Sequence, residues 1–98
     1  MINYQWIGSL SEKNYHMIWG LVLIKSLGFD SVDNSPYNKY MMFSGRSNKR
    51  LTMKMFNDTE NNVTELVKRK IDKGYSILRL TEFLELVPDF ESTIDNSQ

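Results

Sequence analysis

The chain has 98 residues, of which 41% are hydrophobic and 24% charged, and its 12 basic and 12 acidic side chains give a formal net charge of zero. This composition is typical of one ordinary globular domain and excludes a disordered or fibrous chain. Cysteine is absent, which excludes disulfides, thiolate metal sites and cysteine nucleophiles, and predicts a protein of the reducing cytoplasm.

The first quarter of the chain predicts a strand followed by a helix. Residues 4–7 alternate loosely and include aromatic side chains, which is typical of a strand. Residues 11–28 predict a helix that Ser11 caps and Gly28 ends. The apolar run inside it, MIWGLVLI, is much shorter than the roughly 20 residues that span a bilayer, so we expect a buried element and no membrane partner.

The middle of the chain predicts a β-hairpin with a basic tip. Residues 39–44, KYMMFS, form an almost continuous apolar run, as expected for a strand that is covered on both faces. Residues 45–49, GRSNK, have the composition of a hairpin loop. Residues 50–56, RLTMKMF, alternate and predict the second strand.

The last part of the chain predicts two helices and a tail. Residues 59–74 predict an amphipathic helix, because their apolar side chains recur at helical spacing (Val63, Leu66, Val67, Ile71). Residues 75–80 predict a strand, and residues 81–87 a short helix that Pro88 stops. The remaining residues, 89–98, are polar and acidic and predict a frayed tail.

These segments resemble the BRCT domain, a module of DNA-repair and replication proteins that also occurs at the C terminus of bacterial NAD-dependent DNA ligases. WIGSLS resembles its opening turn, SLGF the end of its first helix, KYMMFSG its third strand, and VKRKIDKGYSILRLTEFLELV its second helix, fourth strand and closing helix. The resemblance covers about residues 4–87. It implies a single α/β domain over residues 1–88, with a small, mostly parallel sheet flanked by helices in the order βαββαβα and an extra hairpin strand.

The resemblance also implies an anion site in the opening turn. In phosphopeptide-binding members a Ser or Thr precedes the glycine of this turn, and a lysine begins the second helix. Here Ile7 precedes Gly8, so only the glycine matches, and Ser9 and Ser11 are the nearby hydroxyls. A helix N terminus after Ser11 would suit one anion.

The net charge of zero conceals a basic stretch. Residues 46–73 carry eight positive charges against four negative ones. Such a stretch predicts either ordinary solvated surface or a face for phosphates or an acidic partner. The candidate contact residues are the cations of the hairpin and of the following helix, namely Arg46, Lys49, Arg50, Lys54, Lys68, Arg69 and Lys73.

No pattern in the sequence predicts catalysis, a metal or a cofactor. His16 is the single histidine, so a histidine-based metal site or triad would need other residue types as partners. Glu82 and Glu85 lie on the short helix, where nothing in the sequence predicts a raised carboxylate pKa. We therefore expect a protein that is not an enzyme.

An enzyme is the function that the sequence favours least, and two other functions stay open beside it. One is a non-catalytic binding module that contacts a DNA end or a DNA-repair or replication protein. The alternative is a small inhibitor or adaptor of phage or mobile-element type that binds a host protein. A homodimer formed through the free edge of the hairpin is compatible with either function.

Overall fold

The computed structural model describes the backbone of residues 2–97 and the side chains of residues 2–94. Its elements are, in chain order, β1 (Asn3–Ser11), β2 (His16–Asp30), β3 (Ser35–Arg46), β4 (Thr52–Thr59), α1 (Glu60–Asp72), β5 (Ser76–Ile77), α2 (Leu80–Leu86) and α3 (Phe90–Ser97).

The strands form one sheet in the order β4-β3-β2-β1-β5, and every neighbouring pair is antiparallel. Strands β1 to β4 follow one another as hairpins, and β5 joins the outer edge of β1 after α1. The expected mostly parallel sheet in the order βαββαβα is therefore wrong, and the fold that the BRCT resemblance implied is not the fold of this chain.

The error originates in β2, which the sequence analysis predicted as a helix. In this strand Ile18 and Val22 pack on one face of the sheet, whereas Trp19 and Leu21 pack on the other. Because both faces are covered by protein, nearly every position is apolar, and a continuous apolar run does not distinguish a strand from a buried helix.

Helices cover both faces of the sheet. On the face that we call the α1 face, Val63 of α1 is buried with Trp19, Leu21 and Tyr40 of the sheet. On the opposite face, the α2–α3 face, the last two helices complete a second core with the sheet and Leu51, made of Ile7, Ile18, Val22, Met41, Phe43, Leu51, Phe83, Phe90 and Ile94.

The sequence predicted β1, β3, β4 and α1 correctly. Thr59 caps α1, since its hydroxyl accepts a hydrogen bond of 3.2 Å from the backbone N–H of Asn62. Gly74 follows the helix with a positive φ of 108°. The strand predicted at 75–80 is only two residues long, Ser76–Ile77.

After the misassigned β2, the largest difference between the predicted and the observed elements is at the end of the chain. The sequence predicts a frayed tail from residue 89, whereas Phe90 begins a helix. Phe90 and Ile94 are both buried, and the ring centroids of Phe90 and Phe43 are 4.5 Å apart. Residues 90–94 thus contribute to the core.

Candidate nucleic-acid interface

The β1–β2 and β3–β4 connections lie side by side at one end of the sheet. The backbone N–H of Ser47 donates to the carbonyl oxygen of His16 at 2.8 Å, and the N–H of His16 donates to Ser47 Oγ at 3.0 Å. Two hydrogen bonds between the same residues fix the start of the β3–β4 loop against the sheet.

This loop carries the cations that the sequence predicted. We call Arg46, Lys49 and Arg50 the basic hairpin; all three residues are exposed. The guanidinium of Arg46 lies 4.6 Å from the ring centroid of Tyr15, a cation–π contact that orients it. Over the described side chains, none of the three forms an ion pair.

The remaining predicted cations lie on the α1 face or on α1 itself. Lys54 is opposite Met42 in the β3–β4 ladder, beside Leu66 of α1. Lys68 lies 3.4 Å from Glu65, and because both side chains are well exposed this pair stabilises the helix little. Arg69 and Lys73 are exposed near the C-terminal end of α1, where the helix dipole favours cations.

A pocket separates the basic hairpin from the C-terminal half of α1. It has a volume of about 440 Å³ and opens on the α1 face. We call it the aromatic pocket, and its lining comes from β2 to β4, α1 and the residue before β5: Met17, Trp19, Met42, Ser44, Gly45, Thr52, Leu66, Lys70 and Tyr75. None of the seven predicted contact residues lines this pocket. Gly45, which does, directly precedes Arg46, whereas Lys49 and Arg50 line a cleft on the α2–α3 face.

Lys70 lines this pocket and lies close to two aromatic rings. Its ammonium lies 5.3 Å from the ring centroid of Trp19 and 5.6 Å from that of Tyr75. Burial lowers the pKa of Lys70, and the charge of Lys73 lowers it further. Burial also raises the pKa of Tyr75, with a smaller contribution from Glu12.

Lys70, Trp19 and Tyr75 were not predicted as site residues from the sequence. Lys70 follows Leu66 by four residues and Val67 by three, so it continues the buried stripe of the helix and was detectable by its spacing. From the sequence, Ile71 was predicted to continue the buried stripe instead, but it is 50% exposed.

The residues proposed for an anion site lie in β1. Gly8 is opposite Trp19, and a Cβ added to it would lie 2.1 Å from a ring carbon of Trp6, so its α1 face is covered. Ser9 pairs with Ser76 of β5. Ser11 ends β1, and the helix N terminus expected after it does not exist.

The single histidine lies near two carboxylates. His16, Glu82 and Glu85 line an open depression on the α2–α3 face. Over the side chains of residues 2–94, no group of three or more histidine and carboxylate side chains could hold a metal ion.

Comparisons with protein-family models, with curated proteins and with solved structures found no match to this chain. Within the described range, no helix is long and apolar enough to cross a membrane. The function must therefore be argued from the surface of this molecule alone.

Proposed function

We propose that this chain is a non-catalytic DNA-binding module that contacts phosphates through its basic hairpin. The observation that carries the proposal is the exposure of Arg46, Lys49 and Arg50, none of which has an ion-pair partner over residues 2–94. Cations that are already solvated and unpaired can bind phosphates without first breaking an internal ion pair.

The charges of the surrounding elements favour binding of DNA on the side of the basic hairpin and α1. The C-terminal half of α1 carries Lys68, Arg69, Lys70 and Lys73 against one carboxylate, Asp72. Residues 79–94 carry the opposite balance, with one cation, Arg79, against Glu82, Glu85, Asp89 and Glu91. A DNA strand is accordingly attracted to the hairpin and α1, and is repelled by α2 and α3.

Contacts between protein cations and DNA phosphates depend strongly on salt concentration and weakly on base sequence. Phosphate contacts release condensed counterions, so they are strong at low salt and weaken steeply as salt rises. They position a protein on DNA but carry little sequence information. The proposal therefore assigns sequence-independent binding to the chain, with no reaction and no cofactor, and it includes the cytoplasmic location that the absence of cysteine supports.

The test compares two double variants of equal charge. Lys49→Ala/Arg50→Ala removes two hairpin cations, whereas Lys25→Ala/Arg79→Ala removes two exposed cations elsewhere. Binding to a short 5′-phosphorylated duplex is measured by fluorescence anisotropy at about 50 mM salt, where phosphate contacts are strong. We expect the hairpin variant to lose about tenfold or more in affinity, because losing even one contact to a charged group costs about 1.5 kcal/mol.

The control variant separates a local contact from a general charge effect. We expect it to keep an affinity within about twofold of the native chain, since exposed charges distant from the contact are screened. No binding of the native chain, or equal losses in the two variants, would overturn the proposal.

A further inference from the structure

We propose that the aromatic pocket holds an unstacked nucleobase of the strand whose phosphates lie on the basic hairpin. This inference rests on the proposed function and adds a second contact to it. It assigns to the chain a binding preference for unpaired bases over an intact duplex.

The position of the pocket favours a continuous contact with one strand. Gly45, at its rim, is the residue directly before Arg46. Arg46 is opposite Met17 in the β2–β3 ladder, and Met17 lines the pocket, so the cation and the pocket share the α1 face. Lys54 is opposite Met42, another lining residue. Phosphates bound by Arg46 and Lys54 would flank a base in the pocket.

The size and the apolar lining suit a planar base. The volume of about 440 Å³ lies within the range of about 300–1,000 Å³ that small-ligand sites occupy. Trp19 is only 3% exposed, so the ring available to a base is that of Tyr75, which is half-buried and presents part of its surface. Bases stack on aromatic side chains regardless of their identity, because every base has a π-face. Met17 and Met42 are flexible and adapt to different ring shapes.

The polar groups of the pocket suit the same ligand. The Lys70 ammonium offers three donors and no acceptor, and Ser44 and Thr52 add hydroxyl groups. These groups can donate to ring nitrogens and carbonyl oxygens of a base or to the phosphate beside it. The cation–π contacts of the ammonium with Trp19 and Tyr75 limit its freedom before the ligand binds.

The cleft on the other side of the hairpin is less suitable. It has a volume of about 310 Å³, and Lys49 and Arg50 lie at its rim together with Asp89. The Asp89 carboxylate would repel a phosphate, whereas none of the carboxylates of residues 2–94 lines the aromatic pocket. The charge therefore favours the pocket on the α1 face.

The test uses two oligomers that differ only in their bases. A thymidine pentamer and an abasic pentamer of the same sugar-phosphate backbone present the same phosphates, so contacts to the basic hairpin are equal in both. Stacking of a single base predicts that the full chain binds the thymidine pentamer between about 5-fold and 100-fold more tightly at about 50 mM salt.

Two lysine variants locate the preference on the protein. Lys70→Met removes the ammonium from the pocket, whereas Lys25→Met removes an equal charge from an exposed position of β2 that is not a candidate contact residue. We expect Lys70→Met to reduce the ratio of the two affinities by about threefold or more, the effect of losing roughly one hydrogen bond, and Lys25→Met to leave that ratio unchanged.

The possible results distinguish failure of the nucleobase pocket from failure of DNA binding itself. Equal affinity of the native chain for the two pentamers would overturn the nucleobase pocket and leave DNA binding intact. Failure to bind either pentamer or a duplex would overturn the proposed function itself. Equal ratios in the two lysine variants would contradict the assignment of the base to the aromatic pocket. The comparison of the two pentamers on the native chain stays valid even if a variant does not fold.

Discussion

At the scale of single residues, close packing explains why β2 contains a glycine between large apolar side chains. Gly20 is opposite Phe43, and a Cβ added to Gly20 would lie 2.2 Å from a carbon of the Phe43 ring. Phe43 is fully buried, and its ring centroid lies 5.2 Å from that of Phe83. The ring therefore cannot move aside without disturbing the core under α2.

We predict that Gly20→Ala destabilises the fold by about 1–3 kcal/mol, because overpacking forces side chains out of their rotamers. In a background of Phe43→Leu, where the ring is absent, the same change should cost less, since contacting residues are not additive. Urea denaturation of the two single variants and the double variant measures both quantities. Full additivity would contradict the proposed contact.

Two buried or half-buried tyrosines predict that the stability of the fold depends on pH in the alkaline range. Burial raises the pKa of Tyr40. The hydrogen bond that Asn38 donates to its hydroxyl partly offsets this increase, and the charges of Glu60 and Asp58 add to it. Burial likewise raises the pKa of Tyr75. Because the folded pKa exceeds the unfolded value of about 10, the folded state keeps its full stability below pH 10 and loses stability as the pH rises further.

Absorbance at 295 nm across an alkaline titration measures this directly. We expect some of the tyrosines to ionise above the range of the unfolded chain in urea, and Tyr75→Phe to remove one of these late transitions. Identical titration curves for the folded and unfolded chains would show that neither phenol is shielded from water.

At the scale of elements, the sequence predicted α1, whose ends and apolar side are marked by residue type, and failed on β2 and α3. Helix α1 was recognisable because Thr59 and Gly74 mark its ends and an apolar stripe marks one side. Strand β2 was not, because it is apolar on both faces. Helix α3 was hidden because Phe90 and Ile94, four residues apart, are its two buried apolar side chains among polar neighbours.

Helix α3 gives the clearest test of the fold at this scale. We predict that Phe90→Ala lowers the free energy of unfolding by about 3–5 kcal/mol, the usual cost of removing a fully buried aromatic ring. Glu91→Ala, an exposed neighbour on the same helix, should change it by less than about 0.5 kcal/mol. Equal and small effects would be expected of a frayed tail and would contradict the buried helix.

The candidate site was predictable only where it is local in sequence. The basic hairpin was recognisable because a loop rich in turn residues separates two strand-like runs, and this places three cations within five consecutive positions, Arg46, Lys49 and Arg50. The aromatic pocket was not, because Trp19, Lys70 and Tyr75 come from separate parts of the chain. They meet only once the sheet has formed and α1 lies across it.

At the scale of the whole molecule, the fold separates charges that the net value conceals. The chain has no net charge, yet the hairpin and the C-terminal half of α1 are basic, and the α2–α3 segment is acidic. Long-range attraction of a polyanion depends on such a distribution rather than on the sum. The central claim is therefore that the hairpin cations contact phosphates, and salt dependence tests it most directly.

The decisive measurement is the slope of log affinity against log salt concentration for a DNA duplex, between about 50 and 200 mM salt. Three phosphate contacts predict a contribution of about −2.7, since each contributes about −0.9 on duplex DNA. The slope of Arg46→Ala/Lys49→Ala/Arg50→Ala should accordingly be less steep than that of the native chain by about that amount. A slope that the triple change leaves unaltered, or native binding that is insensitive to salt, would contradict the account.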